Sequence, residues 1–367
     1  MASRSVALGM RRGSTGADSS ASRMGHTSIS AVVVLIAAWC FCVAAVVLSL
    51  CVGQYPLSVA QVVQVLSSSI WGGTGVPVEE AARIVVWEVR LPRVLAGLVV
   101  GAALAAAGGT YQGMFRNPLV SPDILGVSAG AGLGAAWGIS IGASMLVVQS
   151  MAFGGGVLAV ALVWLAAATV RRHDPVLVLV LAGIAVGTLL GAGVALLKVL
   201  ADPYTQLSAI TFWLLGGLNA VTLADVRSTA PIMLVGLLPL VLLRWRVNIL
   251  SLSDDEAQAL GVHVQRLRLT MVAAATLMTA AAVSITGIIG WVGLVVPHVA
   301  RLLVGPEFGR LLPVAMLLGA GFVVLADTLA RSTVGMELPL GVVTALVGAP
   351  VFLWLLARSG RWSAADG

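Results

Sequence analysis

From Ala31 onward, long apolar runs alternate with short polar stretches. The first run, Ala31 to Val52, is long enough to cross a bilayer at about 1.5 Å per residue, so it predicts a membrane-spanning helix. Later runs predict spans at 92–113, 120–141, 144–169, 176–200, 229–247 and 269–289, a short one at 291–304, and two more at 311–330 and 338–357. That makes ten crossings. The eighth is short because Pro297 interrupts it and Arg301 ends it. Between the first two spans, Gln54 to Glu88 holds Pro56, a weakly amphipathic stretch through Ile70, the turn-rich Gly72–Gly75, and Glu79, Glu80 and Glu88, and is too polar to cross. Residues 1–28, rich in Ser, Gly, Ala and Arg without apolar periodicity, read as a flexible tail. Residues 29–360 read as one all-α, ten-helix transmembrane domain, and 361–367 as a second short tail. The first run exceeds the roughly 7–15-residue core of a signal peptide and reads as a retained span, with a cleaved signal as the alternative.

Composition agrees with this pattern. Of 367 residues, 59% are hydrophobic and only 10% charged, against about 25% charged in soluble domains. A mean hydropathy of +1.04 is too apolar for a soluble core to absorb, which excludes a water-soluble enzyme. The net charge of +6 comes from basic residues scattered between apolar runs, with no stripe suited to nucleic acid. Their distribution does carry topology. If the N-terminus is cytoplasmic, one side receives Arg4, Arg11, Arg12, Arg23, Arg116, Arg171, Arg172, Arg244, Arg246, Arg266, Arg268, Arg301, Arg310, Arg358 and Arg361. The other receives Arg83, Arg90, Arg93, Lys198, Arg227 and Arg331. A bias of fifteen against six predicts that both termini are cytoplasmic.

Candidate chemistry is sparse. Lys198, the sole lysine, follows Leu197, so no G-x-x-x-x-G-K-[ST] phosphate cradle exists and the chain is not itself a P-loop ATPase. Cys40, Cys42 and Cys51 all lie in the first apolar run and read as small hydrophobes. The four histidines lack ligand spacing, so neither a metal site nor a catalytic constellation is expected. Glycines recur four apart at 97/101, 109/113, 130/134, 183/187 and 187/191, which predicts close helix contact, mostly within the chain. Ion-coupled carriers need an embedded carboxylate. Lys198 and Asp202 sit at one helix end and Asp327 near another; Asp327 could serve, with pairing to Arg331 at i,i+4 as the favoured reading. The most informative polar segment runs from Arg244 to Arg268. Ser253 can cap a short helix whose first turn carries Asp254, Asp255 and Glu256, with Ala257, Leu260 and Val262 as apolar contacts and Gly261 at its end. It reads as a docking helix for another subunit, a solvated loop being the alternative.

Several stretches carry a family resemblance. They are R-L-P-R-V-L-A-G from Arg90 running on to Gly134, L-A-G-I-A-V-G at 181–187, F-W-L-L-G-G-L at 212–218, E-A-Q-A-L-G-V at 256–262, G-I-I-G-W-V-G-L-V-V-P-H-V-A-R-L at 287–302 and E-L-P-L-G-V-V-T-A-L-V-G-A-P-V-F-L-W-L-L at 337–356. In this order they resemble the FecCD-type, or type II importer, permeases of ABC importers for ferric siderophores, haem and vitamin B12, over nearly all of Ala31 to Arg358.

The resemblance implies a ten-span subunit of the bacterial inner membrane that forms a homodimer, with two ATP-binding subunits on the cytoplasmic face and a periplasmic substrate-binding protein on the other. This chain then binds no cofactor, and ATP and Mg belong to the partner ATPase. It implies ATPase coupling through Ser253, Asp254, Asp255, Glu256, Ala257, Leu260, Gly261 and Val262. It also implies binding-protein docking through Arg90, Arg93 and Arg331, for which snorkelling or local pairing, for instance of Arg93 with nearby acids, is the alternative reading. The translocation path and gate fall at Ser128, Ala129, Gly130, Val176 and Leu177. The vitamin B12 permease has small hydroxyl residues and an amide at positions that correspond here to Val176, Leu177 and Ala129, so the gate expected in this chain is apolar. The expected cargo is a metal chelate, a ferric siderophore first, with haem, cobalamin or molybdate as alternatives. An ion-coupled secondary transporter is the rival from another class.

Overall fold

The computed structural model describes residues 18–71, 79–170, 175–250, 252, 254–333 and 336–363. The described residues are helical, with no strand. Helix α1 (Asp18–Cys51) is followed by α2 (Val59–Trp71), then by α3 (Glu80–Ile84), which continues through a π-helical turn (Val85–Arg90) into α4 (Leu91–Met114). A 3₁₀ turn at Pro122–Leu125 precedes α5 (Val127–Ser140), α6 (Met145–Thr169), α7 (Pro175–Leu200) and α8 (Gln206–Leu215). Then come α9 (Leu223–Leu242), α10 (Arg244–Ile249), α11 (Asp254–Ala259), α12 (Val264–Thr286), α13 (Val292–Val304), α14 (Phe308–Ser332) and α15 (Leu340–Ser363).

Seven helical stretches among the described residues are long and apolar enough to cross a membrane. The remaining passes are shorter: α13, the Leu340–Leu355 stretch of α15, and α5, whose 14 residues span about 21 Å. Ten crossings is therefore an approximate count that includes helices too short to cross alone. Several expected boundaries also shift. The span expected at 120–141 is broken by the 3₁₀ turn, and the one at 229–247 starts at Leu223 and stops at Leu242. The early start follows from a capping box in which Thr222 Oγ1 accepts from Asp225 N at 3.2 Å and Asp225 accepts from Thr222 N at 2.8 Å. Helix α8 falls on no expected span. At the other end, α1 begins at Asp18, inside the tail read as flexible, because a helix nucleated in the apolar run extends outward at little cost. Residues 1–17 and 364–367 of the two expected tails lie outside the described residues.

Burial sorts the helices. In α4 and α12, 72% and 78% of the apolar window is enclosed by protein, against 17% in α1 and α7, which places α4 and α12 at the centre of the bundle and leaves α1 and α7 with mostly outward faces. Helix α4 packs on α14, α12 and α13, and α5 on α6. Glycine makes these contacts possible. A Cβ on Gly101 would lie 2.2 Å from Gly319 O of α14, one on Gly108 1.8 Å from Gly293 O of α13, and one on Gly130 2.3 Å from Gly155 O of α6. Such backbone approaches supply close dispersion contact where lipid removes any hydrophobic drive between helices. Gly191 has nothing within 4 Å of a Cβ, so the 187/191 pair makes no such contact.

The turn between α7 and α8 is ordered by Asp202, whose Oδ1 accepts from Tyr204 N at 3.0 Å and from Thr205 N and Oγ1 at 2.9 and 2.8 Å. These donors, Thr205 foremost, hold the Asp202 carboxyl below the usual carboxylate range. It serves as a turn carboxylate.

Gly108→Val should force α4 away from α13, because the obstructing atoms are backbone and no rotamer relieves them. The expected cost is about 1–3 kcal/mol or more, read as a lower melting temperature or a lost monodisperse peak in detergent. Gly154→Ala, with nothing within 4 Å of its Cβ, should match the parent.

Candidate functional site

One end of the bundle holds a buried charge network built on the C-terminus of α1. A helix leaves its last four carbonyls without partners, and within a bilayer each must be satisfied inside the protein. Here Leu48 O accepts from Val52 N at 2.8 Å and Cys51 O from Leu57 N at 3.0 Å. The other two are taken by arginines from elsewhere in the chain: Leu50 O accepts from Arg90 Nη1 at 2.5 Å, and Ser49 O accepts from Arg331 Nη2. Arg331 also donates to Val52 O at 2.8 Å and to Ser49 Oγ at 2.9 Å, and Arg90 donates to Tyr55 O. Gly53, at φ +154°, lets the chain pass between the two guanidiniums, since a Cβ there would lie 2.8 Å from Arg331 Nη1 and 3.0 Å from Arg90 Nη2.

Carboxylates complete the network. Arg93 on α4 donates from Nε to both oxygens of Asp327 at 3.2 Å and from Nη2 to Asp327 Oδ1 at 2.7 Å, and it also bonds Glu337 in the α14–α15 connection. Arg331 lies one helical turn beyond Asp327, with Nε 3.5 Å from Oδ2. Two guanidiniums, Arg93 and Arg331, thus face two carboxylates, while the third, Arg90, lies against the carbonyl end of α1, where the helix dipole is negative. The arginines expected to face a docking partner, Arg90, Arg93 and Arg331, are only 2%, 7% and 9% exposed and direct their donors inward. These contacts are the local pairing given as the alternative reading for the three arginines. Glu337, missed in the reading of single residues, sits in the quoted E-L-P-L-G stretch.

Next to this network lies a cavity of about 510 Å³ between the ends of α5, α6, α8, α12 and α14. Phe212, Trp213 and Met145 give it an apolar wall, Gln149, Asn219 and Ser284 a neutral polar one, and Asp327 and Glu337 border it.

The opposite end carries α11. Its helix runs Asp254–Ala259, and Gly261, at φ +78° with open space around a Cβ, adopts the left-handed conformation of a helix end. Ala257 is buried and Val262 packs on the core, while Asp255, Glu256 and Leu260 are exposed, Leu260 by 63%. Asp254 pairs with Arg268 of α12 at 3.2 Å and with Arg116 at 3.6 Å. Ser253 lies outside the described residues. Arg268 and Arg116 had no distinguishing signal in the sequence.

The expected path residues do not come together. Ser128 is buried in the first turn of α5, with its hydroxyl donating to Asp123, half-buried Ala129 follows it, and Gly130 packs against α6. The start of α5 lies beside Gly187 of α7, since a Cβ on Gly126 would be 3.6 Å from Gly187 Cα. Val176 and Leu177, in the first turn of α7, are eleven and ten residues from Gly187, about 15–16 Å along the helix. Val176 is half-buried and Leu177 is 47% exposed.

The described residues thus form a helical bundle of membrane-spanning length with a cavity at one end and a short exposed helix at the other. The FecCD transport family matches residues 41–358. The cobalamin import permease BtuC of Halobacterium salinarum is 44% identical over 77% of this chain and 75% of its own. The molybdate import permease MolB of Haemophilus influenzae is 39% identical over 86% and 93% respectively. A solved inward-facing ABC transporter assigned to the metal-chelate type superposes with a TM-score of 0.77 at 35% identity, over 89% of this chain and 99% of its own. The chain belongs to the FecCD family of ABC importer permeases, whose members are non-catalytic membrane subunits.

Asp327→Asn should cost roughly 3–5 kcal/mol, because it leaves two buried guanidiniums short of a counter-charge. Glu337→Gln, on a side chain 35% exposed, should cost a fraction of that. Thermal unfolding in detergent reads both, and equal, small shifts would contradict the network.

Proposed function

We propose that this chain is the permease subunit of an ABC importer that carries a metal chelate, a ferric siderophore, from periplasm to cytoplasm. Membership of the FecCD family over most of the chain carries this reading. Two copies form the pathway, two ATP-binding subunits dock on the α11 end, and a substrate-binding protein delivers cargo at the cavity end. ATP and Mg reside on the ATPase, consistent with a chain that lacks a phosphate cradle. The arginine bias supports cytoplasmic termini in a bacterial inner membrane, with α11 on the cytoplasmic side.

The cavity favours a chelate over a bare ion. A volume of about 510 Å³ greatly exceeds that of a single oxyanion, and its wall offers aromatic and amide surface, with the nearby carboxylates already engaged by arginine. The stretch from Lys198 to Trp213 resembles iron-type members. Cobalamin fits the same size argument and is the second reading, favoured by the Halobacterium relative. The path runs past Ser128, Ala129 and Gly130 at the start of α5, and Val176 and Leu177 at the start of α7 supply an apolar gate that closes by excluding water. Leu260 is the exposed apolar contact on the coupling helix for the ATPase.

In proteoliposomes containing the chain with its ATPase and binding protein, labelled ferric siderophore should accumulate, and excess cobalamin, haemin or molybdate should not compete. Full competition by cobalamin would reassign the cargo. Leu260→Asp should leave the permease folded but cut uptake at least about tenfold, by loss either of the ATPase or of its stimulation. Normal uptake would make α11 a simple connection.

A further inference from the structure

We infer that Asp254, held between Arg116 and Arg268, is the joint through which the coupling helix moves the two central helices of the bundle. The inference rests on the reading that α11 docks the ATPase, and it names what lies behind that surface. Helix α11 has six residues, and its hold on the bundle comes from buried Ala257, from Val262 just beyond it, and from Asp254. Asp255 and Glu256 are exposed, so Asp254 is the α11 carboxylate turned towards the bundle.

Its two partners are attached to different central helices, Arg116 just beyond α4 and Arg268 within α12. Arg116 sits just past the end of α4, where its φ of +51° is a conformation that side-chain-bearing residues rarely adopt. That geometry lets it reach back. Nε donates to Leu250 O at 2.8 Å, and Nη2 donates to Leu252 O while lying 3.6 Å from Asp254. Arg268 rises from the second turn of α12 with its side chain 3% exposed and Nη2 3.2 Å from Asp254 Oδ1; among the described residues its Nε and Nη1 have no hydrogen-bond partner. A buried cation that depends on one carboxylate must follow that carboxylate when it moves.

Both helices then run the length of the bundle. Helix α4 begins beside Arg93 in the charge network, and α12 ends at Ser284–Thr286 on the cavity wall. Displacing α11 therefore acts on two packed helices, α12 ending on the cavity wall and α4 starting at Arg93, which bonds the Asp327 and Glu337 that border it. The 3₁₀ turn and α5 follow Arg116 after five residues, so the same joint reaches the segment carrying Ser128. Arg116 and Arg268 are positioning residues that act through Asp254.

The test uses the full complex in proteoliposomes, with ATP hydrolysis measured with and without loaded binding protein. Glycine suits the backbone of position 116, so Arg116→Gly removes the guanidinium without adding strain, and Arg116→Gln removes it without freeing the backbone. With either variant the ATPase subunit should co-purify and basal hydrolysis should persist, while stimulation and uptake fall at least about fivefold, the lower end of coupling between sites. Asp254→Asn should also lose stimulation, and Asp254→Glu should restore it. Parental stimulation in both Arg116 variants, with Leu260→Asp uncoupled, would overturn the joint and leave the docking helix intact. Normal coupling in Leu260→Asp as well would overturn the docking reading and the joint with it. Loss of the ATPase subunit in the Arg116 variants would make Arg116 part of the docking surface and overturn its role as a transmitter.

Discussion

The termination of α1 inside the protein is the constraint around which one end of this molecule is arranged. In water its last carbonyls would be solvated. Here the peptide groups of Ser49 and Leu50 are satisfied by guanidiniums arriving from α14 and from the turn before α4. Of these two buried arginines, Arg331 joins Arg93 beside Asp327, Arg93 also pairs with Glu337, and Arg90 rests on the carbonyls of Leu50 and Tyr55. Such a group is strongly interdependent, since removing any one partner leaves another buried without compensation. It ties α1, α4, α14 and the α14–α15 connection into one unit, and the cavity lies against that unit.

The two ends therefore differ in kind. The α4–α14 and α4–α13 contacts are backbone against backbone through Gly101, Gly319, Gly108 and Gly293, which leaves little room for sliding at the centre. The α11 end is held by a short helix, a single carboxylate and a residue at positive φ. A bundle firm along its length and lightly attached at one end suits a subunit that receives movement from a partner and delivers it to a cavity on the far side.

Much of this was legible in the sequence. Apolar runs locate the spans because lipid obliges each crossing segment to satisfy its own backbone, and the alternation of runs and breaks records that obligation. The helix at Asp254–Ala259 was legible from acids in its first turn and a glycine beyond its end. The i,i+4 pair of Asp327 and Arg331 was visible because helix geometry alone brings the two together. Local spacing could not place the arginines. Arg90 finds Leu50 forty residues away and Arg331 finds Ser49 across 282, so their inward orientation is set by tertiary packing. Helix α8 was missed because ten residues fall below any span threshold, whereas the break at Pro122–Leu125 is marked by Ser121, Pro122 and Asp123, polar and helix-breaking positions set between apolar stretches long enough to be joined into one span. Arg116 carried no cue, since a positive φ at a residue with a side chain has no sequence signature.

The central claim is that force comes from a partner's ATP and not from an ion gradient acting on this chain. Uptake by proteoliposomes holding the complete complex, measured with ATP present or absent and with proton and sodium gradients imposed or collapsed by ionophores, tests it most directly. The account predicts uptake that requires ATP and is unchanged when the gradients are removed. Uptake that persists without ATP and follows a proton or sodium gradient would contradict it.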